Sequence, residues 1–355
     1  MVLMPGKRIR VLIVDDSSFM RMAIRGILSR DPEIEVIGSA VDGQEGVDKA
    51  IELKPDLITM DIEMPRLDGI SALKQVMAKA PTRVIMVSTL TNEGARATFE
   101  ALEAGAVDYI PKNVTDSSDA QQVFKEELLR KVKGAVSSRF RSPALPRAAV
   151  SPPPRPVASR LPKRNVQFVG IGASTGGPVA LQEVLSRIPM NFPHPVVVAI
   201  HMPRAFTGPY AERLNAKCSI QIKEAVDGDI LKPGQVLISP GGRHLSLVKR
   251  GSNVVVVTAQ PSEFPKYLYV PSVDQMLTTM ADVSNGSALG VILTGMGNDG
   301  FKGMQHLKSK GGVSIAQDEA TSTIYGMPRA CVEGGVADEV LPLGDIGFEI
   351  ARVAG

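Results

Sequence analysis

Short apolar runs alternate with segments of helical periodicity along the first third of the chain. Runs rich in valine and isoleucine are typical of buried strands, and apolar residues spaced three and four apart are typical of helices. Five strand-then-helix pairs of this kind predict a doubly wound parallel sheet. The predicted strands are residues 10–14, 34–40, 56–60, 82–88 and 107–110, and the predicted helices are residues 18–28, 43–53, 69–78, 92–104 and 119–132.

The same alternation returns after residue 165 and predicts a second doubly wound α/β domain. Its predicted strands cover residues 167–172, 196–200, 290–293 and 313–317, and its predicted helices cover residues 178–187, 272–282 and 300–310. Within this domain lie three further strand-like runs separated by glycine and proline turns, at residues 236–239, 244–249 and 254–259. We therefore expect an antiparallel β-rich excursion within the second domain.

A stretch dense in proline and basic residues separates the two domains. Seven prolines lie within residues 143–162, ten basic residues lie within residues 130–164, and no acidic residue lies within residues 128–182. Proline removes backbone donors and restricts φ, so this stretch is not expected to form a regular helix or sheet. We predict an N-terminal domain of residues 1–133, a semi-extended linker of residues 134–165 and a C-terminal domain of residues 166–355.

Composition places the chain among globular proteins and excludes several other classes. Of its 355 residues, 44% are hydrophobic and 22% are charged, and the formal net charge of +3 calls for no nucleic-acid partner. Cys218 and Cys331 are too few for a disulfide scaffold or a cysteine-rich zinc site. The apolar runs are far shorter than the ~20 residues of a membrane span, and the N-terminal residues do not resemble a secretory signal. We therefore expect a cytoplasmic protein.

Polar side chains follow four of the five predicted N-terminal strands at their carboxyl ends. Asp15 and Asp16 follow the first strand and Asp61 follows the third, so three carboxylates are expected to meet at one edge of the sheet. A divalent cation relieves the repulsion between them, and oxygen ligands suit Mg²⁺. A carboxylate beside that metal can attack a phosphoryl donor and form an acyl phosphate. Ser88 can hydrogen-bond a phosphoryl oxygen, and Lys112 can pair with its charge.

This set of polar residues resembles the response-regulator receiver domain, and the resemblance covers residues 8–130. It implies that Asp61 is the phosphoacceptor and that Asp15 and Asp16, together with Asp61, bind the metal. It further implies a hydroxyl switch residue, a switch aromatic residue and a lysine at the site, which match Ser88, Tyr109 and Lys112.

A glycine-rich turn follows the first strand of the second domain. Gly172, Ser174 and Gly176 form a G-x-S-x-G pattern, in which a tight turn raises a serine above the sheet near a helix N-terminus. Amides at such a terminus are available to an oxyanion. Glycines in this stretch also resemble a dinucleotide-binding loop, which expects an acidic residue at the end of the next strand. That strand is followed by His201, which disfavours the dinucleotide interpretation.

His201 and Asp299 are candidate partners for a nucleophilic serine. An alcohol becomes nucleophilic when a base takes its proton, and imidazole titrates near neutral pH. His201 ends the strand expected to lie beside the one before Ser174, so both side chains reach the same edge. Asp299 lies among three glycines in a loop at the end of another strand, and it is the preferred acid for orienting the ring. The weaker candidates for this acid are Asp227, Asp274 and Asp318.

Three motifs of the second domain resemble the catalytic domain of bacterial chemotaxis protein-glutamate methylesterases. They are GASTGG at residues 172–177, HMP at residues 201–203 and LTGMGNDG at residues 293–300. The resemblance covers residues 166–350 and implies a triad of Ser174, His201 and Asp299. It also implies oxyanion contacts from the Thr175 region and the Met296 backbone. The resemblance also implies pocket-forming loops at Gly241, Gly242 and His244 and at the PSVD segment of residues 271–274. It assigns no individual role to these residues.

The two resemblances together imply a response regulator whose output domain is an enzyme. We expect hydrolysis of glutamyl methyl esters and deamidation of glutamines on methyl-accepting chemotaxis receptors. Mg²⁺ is expected for phosphorylation of Asp61, and no cofactor is expected for ester hydrolysis. A chemotaxis histidine kinase is the implied phosphodonor, and we expect a monomer that neither inserts into a membrane nor binds nucleic acid. The unphosphorylated receiver is expected to pack over the serine site, so that phosphorylation activates the enzyme.

Two other functions are weighed against this one. A non-enzymatic receiver-containing adaptor would keep its function when Ser174 is replaced by alanine, whereas an esterase would lose it. A DNA-binding regulator is suggested by the basic linker, but the second domain shows no helix-turn-helix pattern.

Overall fold

The computed structural model describes residues 7–112, 118–137 and 166–354 of the 355-residue chain. The chain divides into two compact units, Met1–Val150 and Ser151–Gly355, and each contains a parallel sheet with helices. Among the described residues, the helices lack the combination of length and apolar content that a membrane span requires.

A five-stranded parallel sheet forms the first unit, as the alternating pattern predicts. Its elements are β1 (Ile9–Val14), α1 (Ser18–Leu28), β2 (Ile34–Ala40), α2 (Gly43–Leu53), β3 (Leu57–Asp61), α3 (Gly69–Lys79), β4 (Arg83–Ser88), α4 (Asn92–Glu103), β5 (Asp108–Pro111) and α5 (Ser118–Ser137). The strands lie in the order β2-β1-β3-β4-β5, and every neighbouring pair is parallel. The carboxyl ends of β1, β3, β4 and β5 therefore share one edge.

Polar caps and a continuous apolar core account for these elements. The side chain before each of the first four helices accepts a hydrogen bond from an amide of the first turn, which satisfies a donor without a partner inside the helix. The four caps are Ser17, Asp42, Asp68 and Thr91. Behind the sheet, Ile13 of β1 shares a buried core with Ile24 of α1 and Leu128 of α5. The apolar face of each helix thus covers a strand, and the strand ends remain available for polar side chains.

Helix α5 extends beyond the predicted end of the first domain. The helix runs to Ser137, and Ala135 and Val136 are buried in the core of the first unit. Residues 134–137 of the predicted linker therefore form the last turn of α5. The remaining linker residues, 138–165, lie outside the described residues.

A seven-stranded sheet forms the second unit. Its elements are β6 (Phe168–Ala173), α6 (Gly177–Leu185), β7 (Val196–Ile200), α7 (Arg204–Lys217), β8 (Gln221–Glu224), β9 (Gln235–Ile238), β10 (His244–Arg250), β11 (Asn253–Ala259), a 3₁₀ turn (Pro261–Glu263), α8 (Val273–Val283), β12 (Ala288–Ile292), α9 (Phe301–Ser309), β13 (Val313–Gln317), α10 (Met327–Glu333), β14 (Glu339–Leu341) and α11 (Leu343–Ala354). The strand order is β14-β13-β12-β6-β7-β9-β8, and all neighbouring pairs are parallel.

The predicted β-rich excursion is smaller than its three strand-like runs suggest. Strands β10 and β11 form a separate antiparallel hairpin, whereas β9 pairs in parallel with β7 and β8 and belongs to the main sheet. The edge strands β8 and β14 and the helices α7, α10 and α11 were not predicted from the pattern. The α/β class and the antiparallel excursion are both confirmed.

Two glycines of β6 allow helix α8 to lie directly on the sheet. A Cβ atom built at Gly172 would collide with Val273 at the start of α8, and one built at Gly170 would lie 2.6 Å from the Cε of Met280. Close approach of a helix is a physical reason for glycine within a strand. These glycines also belong to the pattern that resembles a dinucleotide-binding loop, and packing of α8 accounts for them without a nucleotide.

Candidate functional site

Three neighbouring strands bring the predicted serine, histidine and aspartate to one crevice. Strand β6 is central, with β7 on one side and β12 on the other. Ser174 follows β6 directly, His201 follows β7 directly, and Asp299 lies in the loop after β12. Ligands of open α/β sheets bind outside the carboxyl ends of the strands where the winding direction reverses, and this crevice lies at such a point.

The three side chains form a hydrogen-bonded chain. Nδ1 of His201 lies 3.1 Å from Oγ of Ser174, and Nε2 of His201 lies 2.8 Å from Oδ2 of Asp299. Since a carboxylate only accepts, Nε2 carries the proton and Nδ1 is left as the acceptor for the serine hydroxyl. Ser174 and Asp299 are buried, and the imidazole is only slightly exposed. This is the arrangement in which a base can activate an alcohol.

The turn that carries Ser174 is held from both sides. The amide of Ser174 donates to the carbonyl of Thr294, and the carbonyl of Ser174 accepts from the amide of Gly177, at 3.0 and 2.7 Å. Gly176 has φ of +76°, a left-handed conformation that favours glycine. Helix α6 begins at the next residue, with Pro178 in its first turn. The serine therefore stands at the N-terminal end of a helix, where the first backbone amides have no acceptor within the helix.

Of the three hydrogen-bonded side chains, that of Asp299 is held by the most hydrogen bonds within the described residues. Its Oδ2 accepts from the amide of Val273 at 2.8 Å, and its Oδ1 accepts from the amide of Asp274 at 2.9 Å and from Oγ of Ser272 at 3.1 Å. Burial alone raises the pKa of Asp299, but the hydrogen bond and charge of His201 and the two amides outweigh burial and lower it. Asp299 is therefore an anion at neutral pH.

An aromatic ring also packs against the imidazole of His201. The ring of Tyr269 stacks on that of His201, with centroids 4.5 Å apart and planes inclined by 8°. Offset stacking of aromatic rings contributes about 0.5–1.5 kcal/mol beyond the buried area. Sequence analysis missed Tyr269 because the segment between β11 and α8 carries no periodic pattern.

His244 lies in an aromatic enclosure and is separate from the hydrogen-bonded chain. It is fully buried, its two ring nitrogens have no hydrogen-bond partner among the described residues, and its ring packs against Phe264 and Tyr267. Burial lowers the pKa of His244, although the charge of Asp299 opposes this effect. The ring is therefore neutral, which suits a structural role in holding the segment that presents Tyr269.

The predicted oxyanion residues lie beside the serine in sequence or in space. Thr175 follows Ser174 and is buried, and its carbonyl accepts from Oγ1 of Thr294 at 2.9 Å. Met296 follows Gly295, at which a Cβ atom would lie 2.8 Å from the Cβ of Ser174. Both segments thus border the crevice, and their oxyanion role stays a prediction.

Replacing Gly295 by alanine is expected to lower kcat by about 10- to 100-fold, because misplacement of a nucleophile by an ångström costs that much. The added Cβ would collide with Met327 and press on Ser174. The measurement is the rate of substrate hydrolysis. Gly344→Ala is the matched control, since a Cβ there meets nothing within 4 Å. An unchanged kcat for the Gly295 variant would contradict the close packing.

The acidic residues of the first unit also come together as predicted. Ligand oxygens of Asp15, Asp16 and Asp61 all lie within 4.8 Å of one another. Nζ of Lys112 lies 2.5 Å from Oδ2 of Asp61 and 3.3 Å from Oδ2 of Asp15. Asp61 and Asp15 are buried, whereas Asp16 is exposed. A cluster of carboxylate oxygens beside the ammonium of Lys112 fits a small, hard divalent cation.

Burial is the largest influence on the pKa values of Asp61 and Asp15. Desolvation raises the pKa of Asp61 to about 6, against the opposing effect of Lys112 and with a further contribution from Asp15. The pKa of Asp15 is also raised, mainly by burial. The same carboxylates raise the pKa of Lys112 despite its own burial, so that Lys112 remains a cation.

The remaining receiver candidates occupy the ends of β4 and β5. Oγ of Ser88 donates to the carbonyl of Gly94 at 3.2 Å and accepts from Oγ1 of Thr98 at 2.8 Å. Tyr109 is buried, and Nζ of Lys131 lies 4.8 Å from the centre of its ring. Lys131 was not predicted, since a lysine on an amphipathic helix ordinarily faces solvent.

The chain is similar to known proteins over almost its whole length. Residues 169–350 match the family described as CheB methylesterase, and residues 11–123 match the response regulator receiver domain. A protein-glutamate methylesterase/protein-glutamine glutaminase 1 of Geobacter sulfurreducens is 71% identical over 356 residues, covering 98% of each chain. The chain belongs to the CheB methylesterase family. The resemblance that the motifs indicated is thereby confirmed.

Two further members of the CheB family extend the comparison. A protein-glutamate methylesterase/protein-glutamine glutaminase 5 of Geobacter metallireducens is 70% identical over 353 residues, covering 98% of each chain. The crystal structure of the Thermotoga maritima CheB methylesterase catalytic domain is 39% identical in sequence with a TM-score of 0.51. That similarity covers 53% of this chain and 98% of the Thermotoga domain, so the second unit has the fold of a CheB catalytic domain.

Proposed function

We propose that the second unit hydrolyses glutamyl methyl esters of chemotaxis receptors with Ser174, His201 and Asp299. The observation that carries the proposal is the hydrogen-bonded chain from the serine hydroxyl through the imidazole to the carboxylate. The chain belongs to the CheB methylesterase family and contains a receiver domain, and a relative that is 71% identical is named a protein-glutamate methylesterase/protein-glutamine glutaminase. Both findings support this activity. The adaptor alternative finds no such support.

Acyl transfer to the serine is the first half of the reaction. Oγ of Ser174 attacks the ester carbonyl while Nδ1 of His201 takes the hydroxyl proton. The imidazolium that forms is stabilised by the carboxylate of Asp299 at its Nε2 side. When the tetrahedral intermediate collapses, His201 returns the proton to the leaving oxygen and methanol departs. Amides near Thr175 and Met296 are the proposed donors to the oxyanion, and loss of one such donor costs about 10²- to 10³-fold.

Water completes the cycle through the same groups. His201 takes a proton from water, whose oxygen attacks the acyl carbonyl, and Ser174 leaves after regaining a proton. The product is the glutamate side chain. A receptor glutamine would follow the same course, with His201 delivering the proton to the leaving nitrogen so that ammonia replaces methanol. One site thus serves both activities.

The first unit is proposed to control this activity by phosphorylation of Asp61. The residues that would hold Mg²⁺ are Asp15, Asp16 and Asp61, and their convergence supports this role. The bound cation would shield the charges of an incoming phosphoryl group. Lys112, whose Nζ lies 2.5 Å from Oδ2 of Asp61, would pair with that group, and Ser88 would rearrange toward it. A chemotaxis histidine kinase is the proposed phosphodonor, and the cytoplasm is the proposed location.

Release of methanol from methylated receptor membranes tests the catalytic proposal. Receptors carrying labelled methyl groups are incubated with the protein, and volatile label is collected over time. Label is expected to leave at a rate proportional to protein concentration, and conversion of receptor glutamines to glutamates is expected in parallel. A protein that releases neither methanol nor ammonia at any phosphorylation state would contradict the proposal.

The affinity for Mg²⁺ is expected to depend on pH, because protons compete with the cation for Asp61. With the pKa of Asp61 raised to about 6, its carboxyl is largely protonated below that pH and ionised above it. Affinity measured by titration calorimetry is expected to be about fourfold lower near pH 5.5 than near pH 7.5. Asp61→Asn should reduce this dependence, since it removes one of the titrating groups. Equal affinities of the unaltered protein at both pH values would count against Asp61 as a ligand.

A further inference from the structure

The N-termini of helices α8 and α9 cap each other: an aspartate at each helix start accepts hydrogen bonds from amides at the start of the other. Asp299, which lies just before α9, accepts from the first amides of α8, those of Val273 and Asp274, at 2.8 and 2.9 Å. Asp274 in turn accepts from amides of the α9 terminus, those of Gly300 and Gly303, at 2.9 and 2.8 Å. Each helix therefore supplies the acceptor for amides of the other.

Helix α9 has no capping side chain of its own for its first amides. The residue before α9 is Gly300, which has φ of +98° and has no side chain to act as a cap. The first amides of a helix have no acceptors within it, and a buried amide without an acceptor is costly. The carboxylate of Asp274 satisfies two of them and interacts favourably with the positive end of the helix dipole. The position of α9, and of the loop before it, thus depends on Asp274.

Glycines allow the two helix ends to lie close enough for this mutual capping. A Cβ atom at Gly303 would lie 3.0 Å from the carbonyl oxygen of Asp274, and one at Gly300 would lie 2.9 Å from Cγ1 of Val273. Val273 is fully buried and also lies against Gly172 of β6. The start of α8 is therefore wedged between the strand that carries the serine and the loop that carries the acid.

The pair of carboxylates is retained against an electrostatic cost. Burial raises the pKa of Asp274, and the nearby charge of Asp299 raises it further. Ser272 adds a fifth hydrogen bond to the four amide bonds, since its Oγ donates to Oδ1 of Asp299 at 3.1 Å. The same Oγ accepts from the amide of Gln275 at 3.2 Å. The hydrogen bonds that each carboxylate accepts offset the repulsion between the two charges.

We propose that Asp274 is a positioning residue for the triad acid, and that Ser272 assists it. Asp274 holds the N-terminus of α9 and the loop before it, which places the carboxylate of Asp299 against Nε2 of His201. This inference rests on the proposed function, because it assigns a role to residues behind the triad. It gives a role to the PSVD segment of residues 271–274, to which the sequence alone assigned none.

Asp274 could act on α9 as a hydrogen-bond acceptor or through its negative charge, and an asparagine variant separates these two roles. A single oxygen of Asp274, Oδ1, accepts both amides of α9. Asparagine presents a carbonyl oxygen at that place and keeps both hydrogen bonds, whereas alanine removes them. Asp274→Asn is therefore expected to rescue most of what Asp274→Ala loses.

Steady-state methanol release by the full-length protein tests the inference. Asp274→Ala is expected to lower kcat about 10- to 100-fold with KM changed less than about twofold, because the triad is misplaced while the substrate surface is intact. Asp274→Asn is expected to remain within about threefold of the unaltered protein. Asp282→Ala is the matched control and its kcat should not change. Asp282 is an exposed aspartate at the other end of α8 that contacts His306 of α9, so this variant removes a contact between the two helices but keeps the acceptor at the N-terminus of α9.

Several outcomes would overturn the inference. An unchanged kcat for Asp274→Ala would do so, as would an asparagine variant as slow as the alanine variant. If Asp274→Ala does not fold, Ser272→Ala decides, with an expected loss in kcat of about three- to tenfold and an unchanged KM, and no loss would overturn the role. Inactivity of the unaltered protein would contradict the proposed function, whereas an active protein with unaffected variants contradicts only the positioning role.

Discussion

Ser174→Ala is expected to lower methanol release on the order of 10⁴- to 10⁶-fold, since loss of the nucleophile removes the acyl-enzyme route and leaves only oriented binding. The exchange of a hydroxyl for a hydrogen leaves the turn at Gly176 and the hydrogen bonds of the backbone in place. The measurement is the single-turnover rate on methylated receptor membranes, with phosphorylation of Asp61 followed in the same preparation.

The control for this variant lies at the opposite end of helix α6 from Ser174. Ser186 caps the C-terminus of α6, and its hydroxyl donates to the carbonyl of Glu183. Ser186→Ala should keep the full rate, which separates the loss of a particular nucleophile from the loss of any serine. If Ser174→Ala retained substantial hydrolysis, another nucleophile would have to be sought and the triad would be wrong. An adaptor that only binds partners would keep its function in both variants.

Asp61→Asn is expected to abolish the response to phosphodonor, because an amide cannot form the acyl phosphate. A coupling free energy of about 1–3 kcal/mol between the phosphorylated site and the active site corresponds to activation of about 5- to 150-fold, and all of it should disappear. The measurement compares methanol release with and without a small phosphodonor and Mg²⁺. The phosphoryl group adds charge, which is expected to draw Lys112 and Ser88 toward it and so to change the state of the first unit.

The matched variant for Asp61 is an aspartate of the same unit that lies away from the cluster. Asp48 is on α2, and it accepts a hydrogen bond from Gln44. Asp48→Asn should respond to the phosphodonor as the unaltered protein does. Activation that persists in Asp61→Asn would place the phosphoacceptor elsewhere and would leave the catalytic proposal standing.

Local sequence patterns were sufficient for the strands that carry chemistry. The runs before Asp15, Asp61 and Ser174 are continuous and apolar, and they end at an abrupt polar residue or glycine. Such runs are buried on both faces of a parallel sheet, so their positions can be inferred without knowledge of the partners. The same inference placed five receiver residues at one edge, and the structure brings together those that it predicted to meet there.

Elements without a clean period were missed. Helix α7 has Pro209 in its interior, which removes a backbone donor and ordinarily argues against a helix. Its buried residues Phe206, Tyr210 and Leu214 nevertheless pack into the second unit, and this burial outweighs the weak local preference. Strands β8 and β14 are short edge strands whose partners are distant along the chain. Their pairing depends on the sheet that is already present.

By itself, the sequence determined which residue types are available and at which strand ends they stand: a serine after a glycine turn, a histidine, a glycine-flanked aspartate and three carboxylates. Only the tertiary structure decided which ring nitrogen of His201 faces Ser174, that Tyr269 stacks on that ring, and that Asp274 and Asp299 support each other's helices. The reason is that these contacts join residues far apart in the chain, with Asp299 following His201 by 98 positions. Such distances and orientations arise from tertiary packing, and they cannot be predicted from a local sequence pattern.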